Sequence, residues 1–382
     1  MSPPRVIVTG SSGFIGRRLL DALKGRYEIY GLARRSQTRS GAPEHTTIHW
    51  AQVDIADRDR LRTAFEEIGR AGPVETVIHL AAHYDFEGGN EDEYYRTNVD
   101  GLRNVLDCCK DMGVRNFVFS SSLAACAFPE GDEVLTEESE PDGDHIYAKT
   151  KAIGERMLTE YAGDMRTVII RFAALFSDWC EYPPVFMFIG TWLSKAWNSR
   201  VLGGRGRSAI PYLHVRDGVR FMERTMDCFE DLDSGEILIA SPDEVVTHNE
   251  LYYAVTHYYY GDAPIPWYVP RFLTGPGIHV RCLLGRLTGS MPFERPWMAK
   301  YVDKQMRVDA SHTRARIGWV PRERLRLLRR ISFLLENLKA DPAQWNTRNR
   351  AAMKHVHLRP NLMVAQLLVK HRGELSLSLI HI

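Results

Sequence analysis

The chain lacks paired cysteines. Cys108, Cys109, Cys126, Cys180, Cys228 and Cys282 are scattered, with no C-x-x-C pair and no His/Cys cluster at zinc-ligand spacing. That pattern excludes a zinc module and fits buried, reduced thiols, so the expectations are no metal and a cytoplasmic location. Charge of one sign is also missing: 49 Lys and Arg against 48 Asp and Glu leave a formal +1, which gives no electrostatic reason to expect nucleic acid. No apolar run reaches the length of a membrane span, and a strand begins within a few residues of the N-terminus, leaving no room for a secretory leader. What remains is an ordinary globular composition, 44% hydrophobic and 25% charged.

The first half alternates strand and helix. Strands are expected at Arg5–Thr9, Glu28–Ala33, Thr76–Ala81, Asn116–Ser120 and Arg166–Phe172, and helices at 16–23, 58–68, 98–110 and 147–161. That alternation implies an α/β protein with a doubly wound, Rossmann-type parallel sheet and a ligand across the carboxyl ends of its strands. After Phe172 the text becomes rich in aromatics, proline and glycine and reads as a smaller substrate lobe. The expected division is 1–175 for the dinucleotide-binding domain, with 209–241 returning to it, 176–208 and 242–335 for the lobe, and 336–382 as a C-terminal extension. Leu375 to Ile382 fits no element. The segment from Pro264 to Phe293 mixes Trp267, Tyr268, Phe272, Leu283 and Leu284 with arginines, a texture that also suits a membrane surface. Its prolines and glycines break up any long amphipathic helix, so the reading favours a pocket lid or linker over peripheral membrane contact.

Two motifs carry chemistry. After the first strand comes Thr9-Gly10-Ser11-Ser12-Gly13-Phe14-Ile15-Gly16. Gly10 suits a tight reversal, Gly13 lets backbone N–H groups approach a pyrophosphate, and Gly16 lets helix and strand pack closely. Downstream lies Tyr147-Ala148-Lys149-Thr150-Lys151. The four-residue offset places phenol and ammonium on one helix face, where the cation can favour phenolate and let Tyr147 exchange a proton near neutrality. Hydride transfer at a carbon needs a matched proton transfer at its oxygen, and a phenol with a hydroxyl supplies it without a metal.

The G-x-x-G-x-x-G spacing followed by the Tyr/Lys pair resembles the extended short-chain dehydrogenase/reductase family, also called the NAD-dependent epimerase/dehydratase family. The resemblance runs over roughly residues 5 to 240, with a weaker echo at Val308-Asp309-Ala310-Ser311 and Gly318-Trp319. It implies that Ser12, Phe14 and Ile15 join the three glycines in holding the cofactor. Val53-Asp54-Ile55 is similar to the turn that receives the adenine, so Asp54 and Ile55 are carried over. His79-Leu80-Ala81-Ala82 is similar to the strand end beneath the cofactor, which adds Leu80, Ala81 and Ala82. By the same resemblance Asn98 supports a proton relay, Ser122 in Phe119-Ser120-Ser121-Ser122 orients the substrate oxygen, Tyr147 exchanges the proton, and Lys151 lowers its pKa and holds the nicotinamide ribose. A serine at a strand end also solvates a loop, and that alternative stays open for Ser122.

Departures from the family pattern narrow the reaction. Leu123-Ala124 stands where sugar dehydratases carry an acidic pair, so a sugar 4,6-dehydratase is not the expected activity. Ile210 stands where nucleotide-sugar epimerases clamp a diphosphate with arginine, and Arg295-Pro296-Trp297-Met298 replaces another expected charged run. Lost charge with gained aromatic surface, Phe186, Phe188, Trp192, Tyr253, Trp267 and Trp297, suggests an apolar pocket, in the manner of the branch resembling 3β-hydroxysteroid dehydrogenases and dihydroflavonol reductases. Arg34 and Arg35 end the second strand where an NAD-preferring chain offers an acid, and guanidinium suits a 2′-phosphate. The expectation is therefore an enzyme, an NADP-dependent oxidoreductase with NAD as the alternative cofactor, acting on a small molecule. A nucleotide-sugar epimerase is the runner-up, a non-catalytic cofactor-binding regulator a third reading, and a homodimer is left open.

Overall fold

A computed structural model describes residues 3–85, 91–289 and 292–350. The chain divides into two compact units, the first made of Met1–Ala173, Val215–Asp243 and Val308–Pro321, the second of Ala174–His214, Glu244–Arg307 and Arg322–Ile382. Leu375–Ile382, which fits no expected element, lies outside the described residues.

In the first unit the strands are β1 (Arg5–Thr9), β2 (Glu28–Ala33), β3 (Ile48–Gln52), β4 (Thr76–His79), β5 (Asn116–Ser122) and β6 (Arg166–Phe172). With the strand Glu236–Ala240 they form one seven-stranded sheet in the order Glu236–Ala240, β6, β5, β4, β1, β2, β3. All six pairings are parallel. Parallel strands need crossovers, and helices α1 (Phe14–Leu23), α2 (Gln37–Ser40), α3 (Arg58–Arg70), α4 (Glu91–Tyr95), α5 (Gly101–Met112) and α6 (Ile146–Leu158) fall between them. The strand order reverses beside β1, where β2 lies on one side and β4 on the other, and such a reversal opens a crevice at the carboxyl ends. The core beneath is built from Ile7, Val77, Phe117 and Phe119 of the sheet against Leu61 and Phe65 of α3 and Leu102, Val105 and Leu106 of α5.

Several expectations need correction. β3 was not expected: Ile-His-Trp-Ala-Gln has no clean alternation, and it forms because it pairs along β2 at the sheet edge. The helix expected from Asn98 starts instead at Gly101, after a wide turn at Arg96–Asp100. The stretch Val308–Pro321, expected in the substrate lobe, belongs to the first unit: the Thr313 hydroxyl accepts from Ile239 N at 2.8 Å and donates to Glu137, while Trp319 meets Phe221 edge to face.

The second unit has its own core, in which Phe186, Trp192, Tyr252, Leu334 and Trp345 are buried. Phe186 and Trp192, expected to wall a ligand pocket, are thus packed against protein, whereas Trp267 is 65% exposed. The helix Arg271–Thr288 runs for 18 residues through Gly275, Pro276 and Gly277, contrary to the expectation that they interrupt it. Proline at that point removes one N–H whose acceptor, the Phe272 carbonyl, lies in the first, exposed turn where water can replace it. The helix Leu327–Ala340 crosses the expected start of a C-terminal extension at 336. Among the described residues no helix is long and apolar enough to cross a membrane, and no His/Cys/Asp/Glu group is arranged to hold a metal.

Candidate active site

The glycine turn sits at the carboxyl end of β1. Gly10 has φ +70°, and a Cβ there would lie 2.6 Å from the Ala81 nitrogen, so this turn and the loop after β4 approach too closely for any side chain. A Cβ at Gly16 would run into the Gly10 carbonyl, and one at Gly13 would meet the same oxygen at 3.0 Å. No side chain caps α1, whose N-cap is Gly13. A tight glycine cradle leading into a helix N-terminus uncapped by any side chain presents backbone donors and a positive dipole end, the donor set a pyrophosphate takes. These residues fit a dinucleotide. The loop after β4, with Leu80, Ala81 and Ala82 half-buried, is tied to β1 by a hydrogen bond from Ala81 N to the Thr9 hydroxyl at 3.2 Å.

Arg35 lies against the same turn: its NH2 donates to the Ser12 carbonyl at 2.5 Å and its Nε to the Ser12 hydroxyl at 3.3 Å. Arg34 points elsewhere, to Glu93 at 3.2 Å. Asp54 accepts from Ala56 N at 3.0 Å and from Arg96 at 2.9 Å, while Ile55 is buried beneath Gly101. The Asp54 carboxylate is therefore already engaged, and only its backbone turn faces the role carried over for it.

Ser122 closes β5, two strands from β1 in the same sheet. Its hydroxyl accepts from Ala124 N at 3.2 Å, capping the short turn Leu123–Ala125, and it is near enough to the Tyr147 phenol to draw its pKa down. Tyr147 stands in the first turn of α6, which His145 caps through its Nδ1. The ring is half-buried, and the burial of its hydroxyl pushes the phenol well above the ordinary tyrosine pKa; Ser122 pulls it down and the neighbouring Tyr94 pushes it up.

Lys151 is one turn further along α6 and buried. Its Nζ donates to the Ser120 carbonyl at 2.5 Å and lies 4.8 Å from the Phe119 ring centroid and 5.9 Å from that of Tyr147. Burial lowers its pKa to about 8, with the Glu155 carboxylate pulling the other way. One of the three Lys151 Nζ donors is engaged by the Ser120 carbonyl, and the Ser122 hydroxyl draws the Tyr147 phenol pKa down.

Asn98, in the wide turn before α5, bridges two segments. Its Oδ1 accepts from His83 N at 2.6 Å, and its Nδ2 donates to the His83 carbonyl and the Thr150 hydroxyl, both at 3.1 Å. Thr150 in turn donates to the Tyr147 carbonyl at 3.0 Å. Sequence reasoning missed Thr150 although it lies inside the Tyr/Lys motif, and it missed Tyr84, whose ring meets Tyr147 edge on at 4.6 Å. Nothing in the spacing of Tyr84 marks it; only the closure of the β4 loop over α6 brings it there.

A model of the NAD dependent epimerase/dehydratase family matches residues 6–240. The chain belongs to this family. Among curated proteins, this family member is 30% identical over 178 residues to "Sterol demethylase protein B" of Methylococcus capsulatus, covering 45% of the chain and 52% of the relative. It is 32% identical to a 3 beta-hydroxysteroid dehydrogenase/Delta 5-->4-isomerase of Mycobacterium tuberculosis, covering 44% and 46%. It is also 32% identical to an N-acetyl-alpha-D-glucosaminyl-diphospho-ditrans,octacis-undecaprenol 4-epimerase of Escherichia coli O157:H7, covering 45% and 49%. The chain thus spans about half the length of these relatives. Among solved structures, UDP-glucose 4-epimerase of Thermotoga maritima superposes with a TM-score of 0.67 over 88% of this chain and 99% of that one, at 20% identity, which establishes a shared fold.

Proposed function

We propose that this family member is an NAD(P)-dependent oxidoreductase that moves a hydride to or from a hydroxyl or carbonyl carbon of a largely apolar substrate, with Tyr147 as the proton donor or acceptor. The observation that carries the reading is the placement of Tyr147 and Lys151 one turn apart on α6, with the lysine Nζ 5.9 Å from the Tyr147 ring centroid and donating to the Ser120 carbonyl of β5, the strand that Ser122 ends. A nicotinamide bound by that cradle supplies hydride chemistry; the protein's own groups handle the proton. Ser122 orients the substrate oxygen. Tyr147, a phenol protonated at neutral pH and held more firmly so by burial, donates to that oxygen as charge develops on it. Lys151, one turn along α6 with a pKa lowered to about 8, can exchange protons close to neutrality. Asn98 and Thr150 hold the start of α6 against the β4 loop and so position the phenol.

An apolar substrate is supported by Ile210 in place of a diphosphate-clamping arginine and by relatives named for sterol chemistry. Arg35, bonded to the glycine turn, supports NADP over NAD. The epimerase reading is kept because an equally identical relative is a 4-epimerase of a lipid-linked sugar. Absorbance separates them: a dehydrogenase consumes or produces NAD(P)H with a panel of hydroxysteroids and cyclic ketones, whereas an epimerase returns its hydride and converts UDP-sugars without net change. On the substrate so found, Tyr147→Phe is expected to lower turnover by roughly 100-fold or more with cofactor affinity retained. Full activity in that variant overturns the assignment.

A further inference from the structure

The helix Arg271–Thr288 carries its apolar residues outward. Phe272 and Leu287 are 76% and 77% exposed, and Val280, Leu283 and Leu284 are each more than half exposed. At about 100° per residue, Phe272, Pro276, Val280, Leu283 and Leu287 fall within one sector of about 80°. Thr274, Cys282 and Gly285 fall on the opposite side and are the buried ones. That inner side is held within its own unit: the Cys282 thiol lies 3.6 Å from the Glu294 carbonyl, and Gly275 faces Ala299. The outward stripe is therefore not a core face turned by accident, since the core face of the same helix is already satisfied. Exposed Trp267 and Ile265 precede the helix.

Charge says what the stripe meets. From residue 263 to 293 there is no Asp or Glu, while Arg271, His279, Arg281 and Arg286 are present. On the helical wheel His279 and Arg286 flank one edge of the stripe, while Arg281 lies about 100° beyond the other edge and pairs with Glu294 at 3.0 Å. Arg281 also stands over the ring of Trp197, itself 73% exposed, at 5.8 Å. An apolar face edged by His279 and Arg286 and preceded by exposed Trp267 matches the interface of an anionic bilayer, where aliphatic side chains enter the acyl boundary and cations meet the headgroups. A second copy is a poorer fit, because a twofold contact through this face sets like charges against each other. The helix is too short and too interrupted in polarity to span.

We propose that helix Arg271–Thr288 docks this protein on the surface of membranes containing anionic lipid, lying in the interface plane. This stands apart from the reaction proposed above and is tested without turnover. The purified full chain is sedimented with vesicles of phosphatidylcholine alone and of phosphatidylcholine with phosphatidylglycerol. Binding to the anionic vesicles is expected to be at least about tenfold tighter and to weaken with salt. Phe272→Glu/Leu287→Glu, at positions exposed enough to leave folding intact by circular dichroism, is expected to abolish binding to both vesicle types. Arg271→Glu/Arg286→Glu keeps the apolar stripe and is expected to remove the preference for phosphatidylglycerol. Unchanged binding in the first variant, or no preference in the parent protein, overturns the proposal. A change from dimer to monomer in the first variant, without vesicle binding by the parent, assigns the face to a second copy and also overturns it.

Discussion

At the scale of single residues, the site is a matter of which partner each polar atom has already taken. Ser122 caps the turn through Ala124 N, Lys151 has the Ser120 carbonyl, and Asn98 has the backbone of His83. The same accounting separates the two arginines that end β2. Arg34 is paired with Glu93, so a phosphate must compete with a carboxylate for it; Arg35 is bonded only to uncharged oxygens of Ser12, beside the glycine cradle. On the proposed NADP reading, Arg35 rather than Arg34 is the residue that meets the 2′-phosphate. A charge-assisted contact of this kind contributes about 1.5–3 kcal/mol, so Arg35→Gln is expected to weaken NADP by about tenfold or more while leaving NAD nearly unchanged. Arg34→Gln is expected to do less. Titration of both cofactors by calorimetry checks this, and equal affinity of the parent protein for NAD and NADP counts against it.

At the scale of elements, β6 is fastened to α6 by a buried ion pair: Arg171 and Glu155 meet at 2.7 Å, with Ser121 of β5 donating to the same carboxylate and Arg171 donating to the Ser139 carbonyl at 2.6 Å. Arg171→Met leaves the Glu155 carboxylate buried without its cation and is expected to cost about 3–5 kcal/mol in urea unfolding. Arg171→Met with Glu155→Leu is expected to recover most of that, because neither charge is then stranded. A double variant no more stable than the single one shows that the network, not the charge balance, holds α6 in place. The sheet was legible in sequence wherever burial on both faces forces an apolar run: Arg5–Thr9, Glu28–Ala33 and Arg166–Phe172 have the bounds their text predicts. Strand β3, at an edge with His49 and Gln52 outward, carries no such signal and was missed. Helix Arg271–Thr288 was misread because Gly275-Pro276-Gly277 was weighed as a breaker, when only one exposed carbonyl loses its partner. Of the site, the motif residues were legible; Tyr84 and Thr150 depend on a loop closure that spacing does not encode.

At the scale of the whole molecule, the two units share a property that makes stability depend on acid. Each encloses a histidine that burial keeps neutral: His79 in the first, between the rings of Phe117 and Phe119 and pushed down to about 3 by burial and by Lys151, and His248 in the second, pushed down to about 4 by burial. Unfolding restores an ordinary value near 6.5 to both. Both folded pKa values are depressed, so their contribution to stability is complete above about pH 6.5 and is lost as pH falls toward 4 and then 3. In that window the unfolded chain binds up to two more protons than the folded one, a slope approaching about 2.7 kcal/mol per pH unit. Carboxylates held low by ion pairs, such as Glu93 at about 2, act only below about pH 4.5, so they do not confuse the range from 6.5 to 5. His79→Gln and His248→Gln are each expected to remove about half of the slope there, and the double variant nearly all of it, measured as urea unfolding free energy at stepped pH. A slope unchanged by His79→Gln means that the histidine beneath the active-site loop is not the group that takes up the proton, and that the acid sensitivity of the first unit arises elsewhere.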